Sequence, residues 1–373
     1  MHKPHPPAAM WASRPADPRR VLPTLRWLLL VVLLPALGCN TVETGGPVRS
    51  NIDLLAVDYG YPTGRFMFDS QQQPLEMAYM DVGPYTGGPR PDQVVDRLPV
   101  LLLHGKNFNG AYFRQTIERL SARGYRVIVP DQIGFGKSTK PAHYQYSFHQ
   151  LADNTRRLLD DLGVDRVHVL GHSMGGMLAA RLALEHPDRV ASLTLLNPIG
   201  LEDWRRFGVP YQSVDDWYQR ELGKTAEKIR AYQQESYYDG QWEPAYDRWV
   251  ELLAAPIGTR DYPRLAWNQA LTYDMIFTQP VIHEFGRLNV PTLLILGTRD
   301  RTALGKNLVE PDVAAEMGRY DRLGSAAVAE LPDGKLIELE GLGHLPHIEA
   351  FDRFWNAWQP WLDGVSGSAD AAR

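Results

Sequence analysis

From residue 100 to residue 200 the chain alternates solid apolar runs with amphipathic ones. Val100–Leu103, Tyr125–Pro130, Val167–Leu170 and Val190–Leu196 are short, rich in β-formers and nearly free of polar positions. Between them, Ala111–Arg123, Phe148–Leu162 and Met174–His186 carry apolar residues at helical spacing and stop at Gly124, Gly163 and Pro187. Strands buried on both faces read as continuous hydrophobic runs, and their alternation with helices of this length predicts βαβ units. The expected fold class is therefore α/β, a mostly parallel central sheet flanked by helices. Ahead of this region, segments 64–69 and 75–82 predict a β-hairpin around Gln71-Gln72-Gln73-Pro74.

The rhythm stops at Leu201. No β-run occurs before Asn289, and 16 of these 89 residues are Phe, Trp or Tyr. It resumes with strands at Val290–Leu296 and Leu336–Glu340 and a closing helix at Phe351–Leu362. Residues 301–333 read as a long loop, and the small, polar tail from Gly364 reads as frayed. The expected organisation is a leader at 1–39, a tether at 40–62, a core built from 63–200 and 289–364, and a helical cap inserted at 201–288.

The leader changes the picture of where the protein works. Arg14, Arg19, Arg20 and Arg26 precede an apolar run from Trp27 to Gly38, followed by Cys39, the only cysteine. That run is too short for a bilayer span of ~20 residues but fits a secretory h-region. Ala36-Leu37-Gly38-Cys39 resembles a bacterial lipobox, which makes Cys39 the candidate lipid-attachment site, and Arg19-Arg20 weakly resembles a twin-arginine signal. The expectation is an exported protein of the periplasm or cell envelope, lipid-anchored through Cys39 in the fuller form of that reading. With a net charge of −5 and no basic stripe, no nucleic-acid partner is expected. No Cys/His cluster has zinc spacing, and neither metal nor organic cofactor is expected.

Gly171-His172-Ser173-Met174-Gly175 is a G-x-S-x-G pattern set between a predicted strand and a predicted helix. That context is a nucleophile elbow, in which a sharp turn thrusts the Ser hydroxyl above the sheet. Ser173 is the candidate nucleophile. His104-Gly105 follows strand 100–103, so backbone N–H groups of Lys106 (or Asn107) and Met174 are the candidate oxyanion hole. The Lys106 side chain is not required for that role, and His104 reads as a structural histidine under the loop rather than a metal ligand. Gly343-His344 follows the last strand, which makes His344 the candidate base; His347 reads as a surface or cap residue. Asp300, on the loop after strand 290–296, is the candidate acid, with Glu202, Asp203, Asp321 and Glu330 as alternatives. The order Ser…Asp…His is that of α/β-hydrolases. Gly136-Lys137-Ser138 looks like the end of a P-loop, but Asp131 stands where its first glycine belongs.

Taken together, Val100–Gly105, Asp131-Gln132-Ile133-Gly134-Phe135-Gly136-Lys137-Ser138, the elbow, Asn197-Pro198-Ile199-Gly200, Gly297–Arg301 and Gly343-His344 resemble the α/β-hydrolase superfamily over about residues 60–362. The D-x-x-G-F-G-x-S block is similar to the branch of C–C hydrolases acting on meta-cleavage products, haloalkane dehalogenases, epoxide hydrolases and proline iminopeptidases. Ser173 departs from the aspartate of the dehalogenases and epoxide hydrolases. The resemblance implies a cap over 201–289. The expected activity is hydrolysis of a small-to-medium apolar carboxylic ester through an acyl-enzyme. Trp204, Phe207, Trp217 and Trp267 are candidate substrate-binding residues among the cap aromatics. Alternatives are C–C bond hydrolysis, an aminopeptidase using Glu202, Asp203, Asp215, Asp216 or Glu235 to hold an amine, and a non-catalytic binding protein.

Overall fold

The computed structural model describes residues 51–84 and 97–370; the expected leader with Cys39, and the tether up to residue 50, lie outside them. The strands are β1 (Thr63–Ser70), β2 (Gln73–Val82), β3 (Val100–Leu103), β4 (Val127–Pro130), β5 (Val167–His172), β6 (Val190–Leu196), β7 (Thr292–Gly297) and β8 (Gly334–Leu339). They form one sheet in the order β1-β2-β4-β3-β5-β6-β7-β8. β1 pairs antiparallel with β2 and β2 antiparallel with β4, whereas β4 through β8 pair in parallel. The expected hairpin is present, with Ser70 opposite Gln73 and positive φ at both Gln71 (51°) and Gln72 (60°). Two-residue hairpin loops of this hand usually need Asn or Gly. Here Gln71 is tied in both directions to the backbone of Gln145, which holds the turn from outside.

Crossover helices α1 (Arg114–Ala122), α2 (Phe148–Asp161) and α3 (Met174–Glu185) follow β3, β4 and β5. After β6 come α4 (Val214–Leu222), α5 (Ala226–Ser236), α6 (Asp247–Ala254) and α7 (Tyr262–Thr278), with no strand until β7. The chain closes with α8 (Pro311–Glu316), α9 (Tyr320–Ala329), α10 (Pro346–Glu349) and α11 (Phe351–Asp370). Successive strand residues point to opposite faces. Accordingly Leu101, Leu103, Val169, Leu195 and Leu294 enter one buried apolar layer, while Val100, Leu102, Leu170, Leu196 and Leu293 enter the other. Among the described residues no helix is long and apolar enough to cross a membrane.

Three sequence expectations need correction. Residues 301–333 are not a bare loop but contain α8 and α9, and Met317 and Tyr320 are buried against the sheet. The tail from Gly364 continues α11 to Asp370. Its small residues let Ser366 reach inward, where its hydroxyl lies 2.9 Å from Tyr125 Oη and 3.1 Å from His168 Nε2. The described part of the tether is packed rather than free: Ile52 and Tyr59 are buried, and Tyr59 Oη donates to Asp131 at 2.8 Å.

Candidate active site

β5 runs directly into Ser173 and then α3. Ser173 adopts φ 57° and ψ −123°, a region costly for a residue with a side chain and held only by its surroundings. Those surroundings include Gly175. A Cβ at that position would sit 2.1 Å from the Leu103 carbonyl oxygen, a backbone atom that cannot swing aside. Gly175→Ala must therefore push α3 away from β3. We expect a loss of about 1–3 kcal/mol or more, typical of overpacking, read as a lowered unfolding midpoint. A variant as stable as the parent would show that the turn relaxes freely.

Parallel pairing from β5 to β8 brings the ends of these strands to one edge of the sheet. Asp300 follows β7 and His344 follows β8; both are fully buried. His344 Nδ1 lies 2.6 Å from Asp300 Oδ2. Asp300 is held in turn by Asn197 Nδ2 at 2.8 Å on Oδ2 and by the Thr302 N–H at 2.8 Å on Oδ1. A carboxylate bound this way only accepts, so Nδ1 carries the imidazole proton and Nε2 keeps its lone pair. Nε2 has no hydrogen-bond partner among the described residues, and the Ser173–His344 hydrogen bond is not formed. Such bonds are often long before substrate binds.

Sequence reasoning assigned no role to three residues that seat His344. Asn197 follows β6 at φ 39°; besides holding Asp300 it accepts the Gly297 N–H at 3.1 Å, clamping the two strand ends together. Tyr237, just beyond α5, accepts the His344 N–H on its carbonyl at 2.8 Å and stacks its ring on the imidazole at 4.6 Å. Gly343 is glycine because a Cβ there would lie 1.9 Å from that same Tyr237 carbonyl oxygen. The third is Tyr112. The Gly105 N–H donates to Tyr112 Oη at 2.9 Å, and Tyr112 Oη lies 2.9 Å from His172 Nδ1. His172 Nε2 faces the His344 carbonyl at 2.8 Å. A carbonyl only accepts, so His172 donates from Nε2 and accepts the Tyr112 proton on Nδ1. Burial keeps both rings neutral, with Tyr112 pushed up and His172 pushed down.

The loop after β3 touches the elbow: a Cβ on Gly105 would meet Ser173 Cβ at 3.0 Å. Neither the Lys106 nor the Met174 backbone N–H bonds to another backbone group among the described residues. As first residue of α3, Met174 has no carbonyl partner within its helix. Lys106, Asn107 and Ser173 line a cleft of about 640 Å³ together with Trp204, Trp217 and Tyr273. Phe207 and Trp267 do not line it, contrary to expectation. Phe207 packs against the core beneath, and Trp267 meets Tyr218 edge-on at 5.6 Å.

Three of the four alternative acids are engaged elsewhere, and the fourth, Glu330, is exposed at the C-terminal end of α9. Glu202 accepts the Gly318 N–H, Asp203 pairs with Arg205 and His283, and Asp321 pairs with Arg319. His104 is buried as a structural residue, its Nε2 accepting the Gln132 N–H at 3.0 Å and its Nδ1 facing the Gly105 carbonyl. His347 is a correction: it is buried, not at the surface, with its ring against those of Tyr112, Phe113 and His172 and neither nitrogen hydrogen-bonded among the described residues. Pro346 starts α10 and turns the side chain inward, which a surface reading of a polar residue could not foresee.

Burial, then the neighbouring His344, lowers the His347 pKa to about 3; burial, then Arg166 and Arg97, lowers that of His168 to about 4. In the unfolded chain both protonate near the usual 6.5. The unfolded state then binds more protons below that pH, so stability is full above pH 6.5 and falls as pH drops toward 3–4. Each group is expected to cost about 2 kcal/mol at pH 5 relative to pH 7.5. Urea unfolding of a His347→Phe variant should lose that much less on acidification; an unchanged acid slope would contradict a neutral buried imidazole.

The comparisons agree with this architecture. The family described as alpha/beta hydrolase fold matches residues 99–351. A probable hydrolytic enzyme from Pseudomonas aeruginosa PAO1, of known crystal structure, is 51% identical with a TM-score of 0.80, covering 84% of this chain and 98% of that one. A haloalkane dehalogenase of Psychrobacter cryohalolentis is 32% identical over 162 residues, 40% of this chain and 50% of that enzyme, so the match spans half its length. Lipase 1 of Psychrobacter immobilis is 26% identical over 262 residues, 68% of this chain and 73% of the lipase. The chain belongs to the α/β-hydrolase fold family.

Proposed function

We propose that the protein is a serine hydrolase that cleaves carboxylic esters of modest size through an acyl-enzyme on Ser173. The observation that carries the reading is the Asp300–His344 pair. Its geometry leaves Nε2 as the only basic nitrogen of the imidazole, at the same sheet edge as the strained Ser173. His344 takes the Ser173 proton as Oγ attacks the ester carbonyl. The backbone N–H groups of Lys106 and Met174 receive the oxyanion. His344 then protonates the departing alcohol, and water attacks the acyl-enzyme to restore the hydroxyl.

The aromatic wall of Trp204, Trp217 and Tyr273 supports an apolar portion of the substrate. Of the five carboxylates named above for an aminopeptidase, Glu235 lines the cleft, and Asp239 lines it as well. We further propose that the enzyme works outside the cytoplasm, anchored through Cys39, on the strength of the basic leader and the apolar run that precedes that residue. A fluorophosphonate probe should modify Ser173 stoichiometrically, and p-nitrophenyl esters of increasing length should be turned over by the unmodified protein. Probe adducts at other residues alone, with no ester turnover, would overturn the assignment.

A further inference from the structure

We propose that the Lys106 ammonium group is a specificity determinant that binds a carboxylate carried on the acid half of the ester, a few bonds from the scissile carbonyl. The inference rests on the serine-hydrolase reading and adds to it the chemical class of the substrate.

The first observation is an unbalanced charge. Among the described residues the buried cationic side chains are Lys106, Lys140 and Arg181. Lys140 is paired with Asp53, and Arg181 with Glu284. Lys106 has no carboxylate within 4.0 Å among the described residues. Buried charges are normally paired, so a lone ammonium at the wall of a cleft points to a partner that comes from outside.

The second observation is that the side chain is held in place. Lys106 Nζ donates to Gln269 Oε1 at 2.9 Å and stands 3.6 Å from the centre of the Tyr273 ring. Gln269 is oriented by its own Nε2, which donates to the Gly134 carbonyl at 3.3 Å. Tyr273 is backed by Trp217, stacked at 4.5 Å. An amide oxygen and an aromatic face stabilise a cation without neutralising it, and an ammonium has three N–H donors, so donor capacity remains. The charged groups nearest Lys106 are Glu221 and Lys224, which pair with each other at 2.7 Å, and the cleft it shares with Ser173 is also lined by Glu235, Asp239, Arg301 and Lys306.

The third observation is position. Lys106 lines the cleft with Ser173 and also, with Gln269, Glu221 and Lys224, a second cavity, so its side chain stands where the two meet, and its backbone N–H bonds to no other backbone group among the described residues. A lysine stem is only four carbons long. An anion held by Nζ and a carbonyl oxygen held by that residue's backbone N–H therefore belong to one small molecule, such as the half-ester of a short dicarboxylic acid. A cationic substrate would meet Lys106 as a like charge.

Hydrolysis of monomethyl glutarate and of methyl pentanoate tests this, since the two acids share a five-carbon chain and differ in the terminal carboxylate. With the parent protein, kcat/KM should favour the glutarate ester by about 10- to 100-fold, the worth of one charge-assisted hydrogen bond. Lys106→Met keeps the stem, and should abolish that ratio mainly through KM, while Lys106→Arg should retain part of it. Burial lowers the Lys106 pKa to about 7, so the ratio in the parent should decline as pH rises through that value. Equal rates, or a preference for the pentanoate ester in the parent, would overturn the proposal without need of any variant. A preference that survives Lys106→Met would overturn the assignment to this residue. Failure to hydrolyse both these esters and the p-nitrophenyl series would instead remove the hydrolase reading on which the inference stands.

Discussion

Ser173→Ala is expected to lower kcat/KM for ester hydrolysis by about 10⁴- to 10⁶-fold, the scale seen when a triad nucleophile is removed. The Oγ of Ser173 carries the bond-forming electrons in the proposed mechanism, and no neighbouring hydroxyl can replace it. Among the residues lining the cleft, Ser236 and Thr302 also carry aliphatic hydroxyls. Ser236 ends α5, and Thr302 follows the loop whose carboxylate it binds through its N–H, so neither sits on the elbow. What survives the substitution should be the contribution of the N–H donors and of binding, a residual acceleration of about 10³–10⁴ over water. The fold should persist, because the variant loses one small polar group and keeps the glycine-dependent turn. Steady-state kinetics beside a thermal melt separates the two effects. A loss below tenfold at unchanged stability would sink the nucleophile assignment.

Asp300→Asn is expected to cost about 10³- to 10⁴-fold in kcat with little change in KM. The argument is one of tautomers. In the parent, Oδ2 can only accept, so His344 Nδ1 donates and Nε2 is free to take a proton. Asparagine must place either its oxygen or its NH2 toward the ring. The Asn197 amide already donates to Oδ2 and the Thr302 N–H to Oδ1, so each position needs an acceptor and one of them must be broken. If the new NH2 faces the imidazole, Nδ1 becomes the acceptor and Nε2 holds the proton, which removes the base. Kinetics together with the ring-nitrogen NMR shifts of His344 checks this. Retained activity with Nδ1 still protonated would contradict it.

The sequence made the repeating part of the fold legible. Runs such as Val190–Leu196 are mostly apolar because both faces of the parallel sheet are covered, and their bounds came out within a few residues. Glycines were informative where a Cβ would strike backbone, as at Gly175, because that constraint is local and leaves its mark in a short motif. Asp300 and His344 are singled out by their places after the last two strands and by the flanking glycines, with other acids left open, and the structure brings these two side chains together. Legibility ended where long-range contacts decide. Nothing in the 301–333 segment announced α9, whose Gly324 permits close approach to Leu296 and Leu336 on the sheet. His347 looked exposed because its type usually is, and only the turn into α10 buries it. Aromatics of the insertion could be counted but not sorted: Trp204 and Trp217 line the cleft, while Phe207 and Trp267 pack elsewhere. The Lys106 side chain was set aside because its backbone sufficed, and no local pattern says that a lysine lacks a counter-ion.

The hold of Tyr237 on His344 bears on how this fold diversifies. The insertion between β6 and β7 does not merely roof the cleft, since its backbone fixes the histidine loop and its ring covers the imidazole. Grafting a foreign segment at this junction, or trimming it away, would unseat His344, the proposed general base, even with the side chains of Ser173, Asp300 and His344 intact. Chimeras that aim to exchange specificity need to carry residue 237 with its carbonyl in register; the recipient loop must also keep glycine at 343.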